Sequence, residues 1–318
     1  MSLRKPDIPR LSRLMGLLLL LIFSGCSVLT KSQLDSIKVY AIATQEYAQY
    51  PGKLIRDFAA VQNNIFLLSS PLTANPEQAA ERIMAHHQSK TALLEEAEKL
   101  DLSFDILKEY AKNLEILSNP DYFNKTINTI ENTGTHLDQL IESYNNKFDS
   151  AVPGGLGSLV YQAMVMVGKR SLDQKRGNIL KEYIARGDPL LKEITEISQR
   201  FLKEKVEEEW IKDIDQDLKS AHSAVRRQIL VDTLNYPSNS FSIIQIDTQV
   251  AELYNDLYKI RKLNQSLITS LEELYLAHHS IYADVQQKKK LTTILNDVIL
   301  FGSEVYEIRE LYENLSPE

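Results

Sequence analysis

From Lys31 onward, apolar residues recur at alternating spacings of three and four, with polar residues between them. That is the pattern of one buried face on an α-helix. Leu34, Ile37, Ala41 and Ala48 open the first run. Pro51-Gly52 interrupts it, and Leu54, Phe58, Val61, Ile65 and Leu68 resume it. Pro71 to Pro76 reads as a turn. A second long helix is expected from about Glu77 to Leu117, on the stripe Leu93, Ala97, Leu100, Phe104, Leu107, Ala111 and Leu114. Asn119-Pro120 caps the next run, which carries Phe123, Ile127, Ile130, Leu137, Ile141, Tyr144 and Phe148. Gly134 lies on that stripe, where it suits close helix packing.

Three later stretches carry sharper expectations. A helix beginning near Leu156 continues through Leu172, Ile179, Leu180 and Tyr183 to Gly187. There, Arg186-Gly187-Asp188-Pro189 reads as a helix stop joined to a start: Gly past the end, Asp as cap, Pro at the first helical position. That turn chemistry accounts for the R-G-D letters without an integrin ligand. The next helix takes Leu190, Ile194, Ile197 and Phe201, passes the charged run Lys203 to Glu209, and extends through Ile211, Ile214, Leu218, Ala221 and Val225 towards Leu234. Asn235 to Ser242 is a polar linker. Finally, Ile246, Val250, Leu253, Leu257, Ile260, Asn264, Leu267, Leu271, Leu274, His278 and Ile281 alternate without a slip. Asn264 and His278 are the polar residues on this seam, the kind that fixes helix register. The pattern resumes out of phase from Leu291 to Leu315, with the shift at Gln286 to Lys290. It predicts one helix of ~105 Å, slipped or bent at that point. No stretch alternates with the two-residue period of a strand. The fold expected is all-α, an elongated bundle of long antiparallel amphipathic helices over residues 31–318, with possible subdivisions near 150–156 and 235–245.

The N-terminus follows a different pattern. Arg4, Lys5, Arg10 and Arg13 precede an apolar run from Leu14 to Phe23, followed by Ser24-Gly25-Cys26. The run spans ~15 Å as a helix, against ~30 Å of bilayer hydrocarbon, and reads as a signal peptide rather than a spanning helix. Phe23-Ser24-Gly25-Cys26 resembles the lipobox of bacterial lipoproteins, with Phe23 where Leu is usual. The resemblance covers about the first 27 residues. It implies cleavage before Cys26, acylation of Cys26 with glycerol-linked chains and palmitate, and, with Ser27 next, an outer-membrane address in a Gram-negative envelope. Residues 1–25 would then be a leader and 26–30 a lipidated tether.

Composition narrows the functional classes. The formal net charge is −7, and loss of a leader with four basic residues and one acid leaves the remainder more acidic still. That argues against nucleic acid. Cys26 is the chain's single cysteine, so neither a disulfide nor a thiolate metal site is expected. His86, His87, His136, His222, His278 and His279 have no Asp or Glu three or four residues away, and the helical metal motifs are missing. Phosphate-loop and nucleophile-elbow motifs are missing too. Pro153-Gly154-Gly155-Leu156-Gly157 follows no strand and has no Lys at phosphate-binding spacing. The expectation is a non-enzymatic protein without cofactor or metal, held to the membrane by its N-terminal lipid and acting as a helical scaffold through an unidentified protein partner or a second copy. Trp210 and the tyrosines are expected in helix seams. The uncharged stretch Ala151 to Gly168 is expected to be a helix buried on all sides at the bundle centre. Two alternatives are that it inserts into lipid, the plan resembling that of helical-bundle cytolysins in architecture alone, or that it is a docking face for another protein.

Overall fold

A computed structural model describes residues 29–70, 75–119, 127–148, 154–165, 172–235, 240–286 and 291–313. Among them the regular structure is all helix and there is no strand. The leader, Cys26, Pro120 and parts of the two expected linkers lie outside these residues, as does the side-chain environment of Gly134.

The first rod is α1 (Lys31–Tyr47) followed by α2 (Pro51–Ser69), broken where Pro51 opens the second helix. It runs antiparallel to α3 (Pro76–Ser118): Gln45 meets Glu115, Arg56 meets Asp101 and Gln62 meets Ser89. α4 (Ile127–Phe148) and α5 (Leu156–Val165) form a smaller pair against α3 and α6. α6 (Leu172–Arg200), a π-helical stretch (Phe201–Trp210) and α7 (Ile211–Asn235) follow one another without a break. This second rod runs antiparallel to α8 (Ser240–Val285), with Asp188 level with His278, Leu202 with Asn264 and His222 with Asp247. α9 (Leu291–Glu313) returns along α8 and lies parallel to α1, where Glu46 pairs with Arg309 and Tyr50 stacks on Tyr312. One continuous apolar cluster runs from Leu29 to Tyr312 and takes in residues of every helix.

Four expectations need correction. The final helix is not one bent rod. α8 and α9 fold back on each other at the phase shift, and the Ser280 hydroxyl donates to Asp297 across the hairpin. A phase slip rotates the apolar stripe away from its partner, and folding back is how both stripes reach one core. The helix expected from Leu156 to Gly187 is two helices, since α5 packs beside α6. Nor is α5 buried all round. Leu156, Leu159 and Val160 face the core, while Ser158 and Tyr161 face solvent. Ala163 to Gly168 lie outside the described side chains. Finally, Arg186-Gly187-Asp188-Pro189 neither ends nor begins a helix. α6 passes straight through it, with Pro189 inside. A proline there offers no N–H to the carbonyl of Ala185, and packing on α3 and α8 carries the helix across that loss.

The glycine-rich stretch has a local explanation. Gly155 sits at φ 85°, a left-handed conformation that favours glycine. The Asp138 carboxylate accepts from the amides of Gly155 (3.1 Å) and Gly157 (3.0 Å), so α4 caps the start of α5. Trp210 lies in a seam as expected, stacked on Phe58 with Phe201 at its edge, and Tyr40, Tyr47, Tyr110, Tyr144 and Tyr183 are fully buried.

Candidate functional site

Two places gather polar side chains in ways that local helix geometry does not require. The first is inside the bundle, where α1, α3, α6 and α8 meet. His278 of α8 is 0% exposed. Its Nε2 lies 2.7 Å from the hydroxyl of Tyr110 on α3, and its Nδ1 lies 3.1 Å from Asp188 Oδ1 on α6. His279 reaches the same carboxylate at 3.2 Å from the solvent side. Tyr40 packs against the imidazole with ring centroids 5.7 Å apart, and Tyr183 stacks on Tyr110 at 4.9 Å. Gly187 makes the approach feasible, because a methyl group there would overlap the Tyr110 ring.

Burial lowers the His278 pKa, and the neighbouring Asp188 opposes this only in part. Burial pushes the Asp188 carboxyl up, but its hydrogen bonds to His278 and His279 and their charge outweigh that and hold it below the usual range. Burial pushes the phenols of Tyr40, Tyr110 and Tyr183 well above 10. The assignment that satisfies all three groups is a neutral imidazole, with Nδ1–H donating to Asp188 and Nε2 accepting from the Tyr110 hydroxyl. Both ring nitrogens are then occupied, and a substrate would reach Nε2 only by displacing Tyr110 from a sealed core. The arrangement serves as a polar lock on helix register, the role the seam pattern assigns to His278.

Asn264 locks the other half of the same seam. It is fully buried, and its Nδ2 donates to the Leu202 carbonyl (3.3 Å) and to Glu207 (3.0 Å). Both partners lie in the π-helical stretch. Sequence reasoning found Asn264 and His278 but missed Asp188, whose partners lie ninety residues away. The signal available was a cap-type residue on a run that stays apolar and periodic on both sides.

The second place is the end of the bundle where Leu29 enters it. Cys26 itself, the one predicted modification site, lies outside the described residues. Leu29, three residues later, is 7% exposed and packed into the core beside Gly177 of α6. Thr30 then starts α1 with a reciprocal cap: its hydroxyl accepts from the Gln33 amide, and Gln33 Oε1 accepts from the Thr30 amide at 2.8 Å. Gln33 also donates to Asp284 at the end of α8 (2.9 Å). A groove of about 450 Å³ opens beside this corner, and the described residues lining it include Leu29, Leu34, Leu180, Lys31, Asp35, Lys38 and Arg176.

Among the described residues, no three His, Cys, Asp or Glu side chains stand where they could hold a metal ion. His86 instead stacks on Phe66, and His222 pairs with Asp247 at 2.8 Å. No described helix is long and apolar enough to cross a membrane. The fold and these two places define an all-α bundle with a polar register lock and a groove at one end. No family model, curated protein or solved structure matches the chain.

Proposed function

We propose that the chain is a lipid-anchored protein of the bacterial envelope, attached through Cys26, in which the helical bundle acts as a scaffold or adaptor for another protein. One observation carries the anchoring: the single cysteine, in a lipobox-like setting, stands three residues before a leucine that is packed into the bundle. Three residues span at most ~11 Å, so a lipid on Cys26 holds the body against the bilayer surface.

The adaptor reading is supported by an apolar strip along the α1–α9 seam. Leu295, Ile299 and Tyr306 are 45–56% exposed and lie on the side of α9 from which Arg309 reaches Glu46. Val39 and Ile42 are 48% and 46% exposed and lie on the Glu46 side of α1. Exposed apolar residues aligned on two adjoining helices mark a contact surface. The alternative, insertion of residues 151–168 into lipid, has less support, since Leu156, Leu159 and Val160 are already committed to the core.

Radiolabelled fatty acid is expected on the wild-type chain and not on Cys26→Ser; label on the variant rejects the anchor. Ile42→Asp with Ile299→Asp is expected to preserve the helical melt while shifting the protein to lower mass on native gels of envelope extracts. An unshifted complex rejects the adaptor surface.

A further inference from the structure

The contact surface along the α1–α9 seam has a shape that a plain apolar patch would lack. Ile299, Gly302, Tyr306 and Arg309 follow one another at three-four spacing on one side of α9. Gly302 is the odd member. It sits in the middle of the helix, where glycine is less favourable than alanine. Nothing packed beside it calls for the substitution, since a Cβ built there meets no atom within 4 Å. It leaves a notch in an otherwise bulky strip. The knob stands next to it on α1. Phe301 packs on Tyr40 and Tyr47, and Arg309 reaches Glu46, so Gly302 lies level with Val39 and Ile42, which are 48% and 46% exposed. A notch and a knob at one height on adjoining parallel helices complement a copy of themselves. A two-fold axis running along the bundle lays α9 of each copy on α1 of the other at equal height.

Charge selects the same arrangement. Beyond Ile42 the face turns polar, and a depression there is lined by Glu46, Lys53, Arg309 and Glu313. Among the described residues Lys53 has no carboxylate partner; its Nζ lies over the Tyr312 ring, 4.1 Å from the centroid. Two copies pointing the same way set apolar half on apolar half and bring Glu313 of one to the height of Lys53 of the other. Pointing opposite ways, each would press its charged half onto the apolar half of the other and bury charge without a partner. We infer that this face pairs with the same face of a second copy, the two side by side and pointing the same way, with Val39 of each seated over Gly302 of the other. The inference rests on the contact-surface reading and names its occupant. Anchoring of both copies to one membrane would impose the same common direction. From Val39 to Lys53 the face is ~21 Å long and two helices wide, on the order of 400 Å² per copy. A stable soluble pair takes ~800 Å² per partner, so this pair is weak in solution and gains from confinement to one surface.

Disulfide trapping between two differently tagged full-length chains, made together in one cell, tests the pairing. One chain carries Val39→Cys and the other Gly302→Cys; intact envelopes are mildly oxidised and run on non-reducing gels. A dimer bearing both tags is expected. Val39→Cys paired with Tyr258→Cys, exposed on α8 away from the seam, should give none. The wild type run alongside reads any disulfide made by an unacylated Cys26. A second reporter pair, Ile42→Cys with Tyr306→Cys, carries Gly302→Leu in both chains. Filling the notch should cut its dimer yield about tenfold, as at the centre of an interface, while thermal melts by circular dichroism stay at or above the parent because a helix prefers leucine to glycine. The inference is overturned by absence of the mixed dimer, by Val39→Cys linking only to itself or to a different protein, or by a yield that Gly302→Leu leaves unchanged. If no mixed dimer forms while Ile42→Asp with Ile299→Asp still shifts the native gel, the contact surface stands and its occupant is another protein. Fatty-acid labelling of Cys26 decides the anchor separately from both.

Discussion

His278 answers to four helices at once, and its protonation therefore bears on stability. The imidazole is neutral in the folded core, with a pKa below its ordinary value because burial disfavours the cation. In the unfolded chain it regains a pKa near 6.5. Below that pH the unfolded state binds the proton that the folded state refuses, so stability falls as pH drops. Asp188 acts in the same direction at lower pH. Its folded pKa is depressed, so its contribution holds above an unfolded value of ~3.9 and is lost as pH falls through the folded one. Urea titrations between about pH 7.5 and 5.5 should show the wild type losing about 1 kcal/mol to this histidine, with His278→Gln less stable overall but correspondingly flatter across that window. Parallel slopes would mean that His278 does not titrate on unfolding. Gly187→Ala should cost about 1–3 kcal/mol, because the Tyr110 ring it would strike is itself fully buried and cannot swing aside. At this scale the sequence was half legible. A polar residue on an otherwise unbroken apolar seam announces itself, as Asn264 and His278 do. A partner such as Asp188 does not, because nothing local distinguishes a carboxylate that caps its own helix from one that bonds to another.

Helices were the most legible level, and their connections the least. The three-four spacing located α3 to within a few residues and marked the end of α8 only as a phase slip in a longer helix, because a single-faced helix repeats its signal over many turns. Proline and glycine were poorer guides. Pro189 sits inside α6, while the α8–α9 reversal contains neither residue in Gln286 to Lys290. Packing partners decide such cases, and they lie outside any sequence window. Composition also misled at α5. An uncharged stretch suggested burial on every side, yet the helix has a wet face of Ser158, Tyr161 and Gln162. The two faces should therefore differ sharply. Val160→Asp puts an unpaired carboxylate into a fully buried site and should cost more than about 3 kcal/mol, whereas Tyr161→Asp should stay within about 0.5 kcal/mol. Similar losses from both, measured by thermal or urea unfolding, would restore the all-round burial that the sequence suggested.

For the whole molecule, the continuity of the apolar cluster from Leu29 to Tyr312 is the governing fact. Stretches near 150–156 and 235–245 resemble boundaries in the sequence, but helices on either side of each contribute to one core. Urea unfolding followed by far-ultraviolet circular dichroism and by fluorescence of Trp210 should give coincident transitions. Separate midpoints would show that part of the bundle melts alone.

The early burial of Leu29 also governs geometry on a larger scale. The rods all run between the same two ends. One gathers the starts of α1, α6 and α9 with the finishes of α3 and α8; the other gathers the finish of α2 with the start of α8. α8 alone has 46 residues, ~69 Å along its axis. If Cys26 carries the proposed lipid, a leash only three residues long would leave almost no slack, and the molecule standing upright would lift its far tip by nearly that distance. It would work as a spacer of set height: docking at the tip would mean crossing a gap of several nanometres, and shortening the rods would bring the two surfaces closer together.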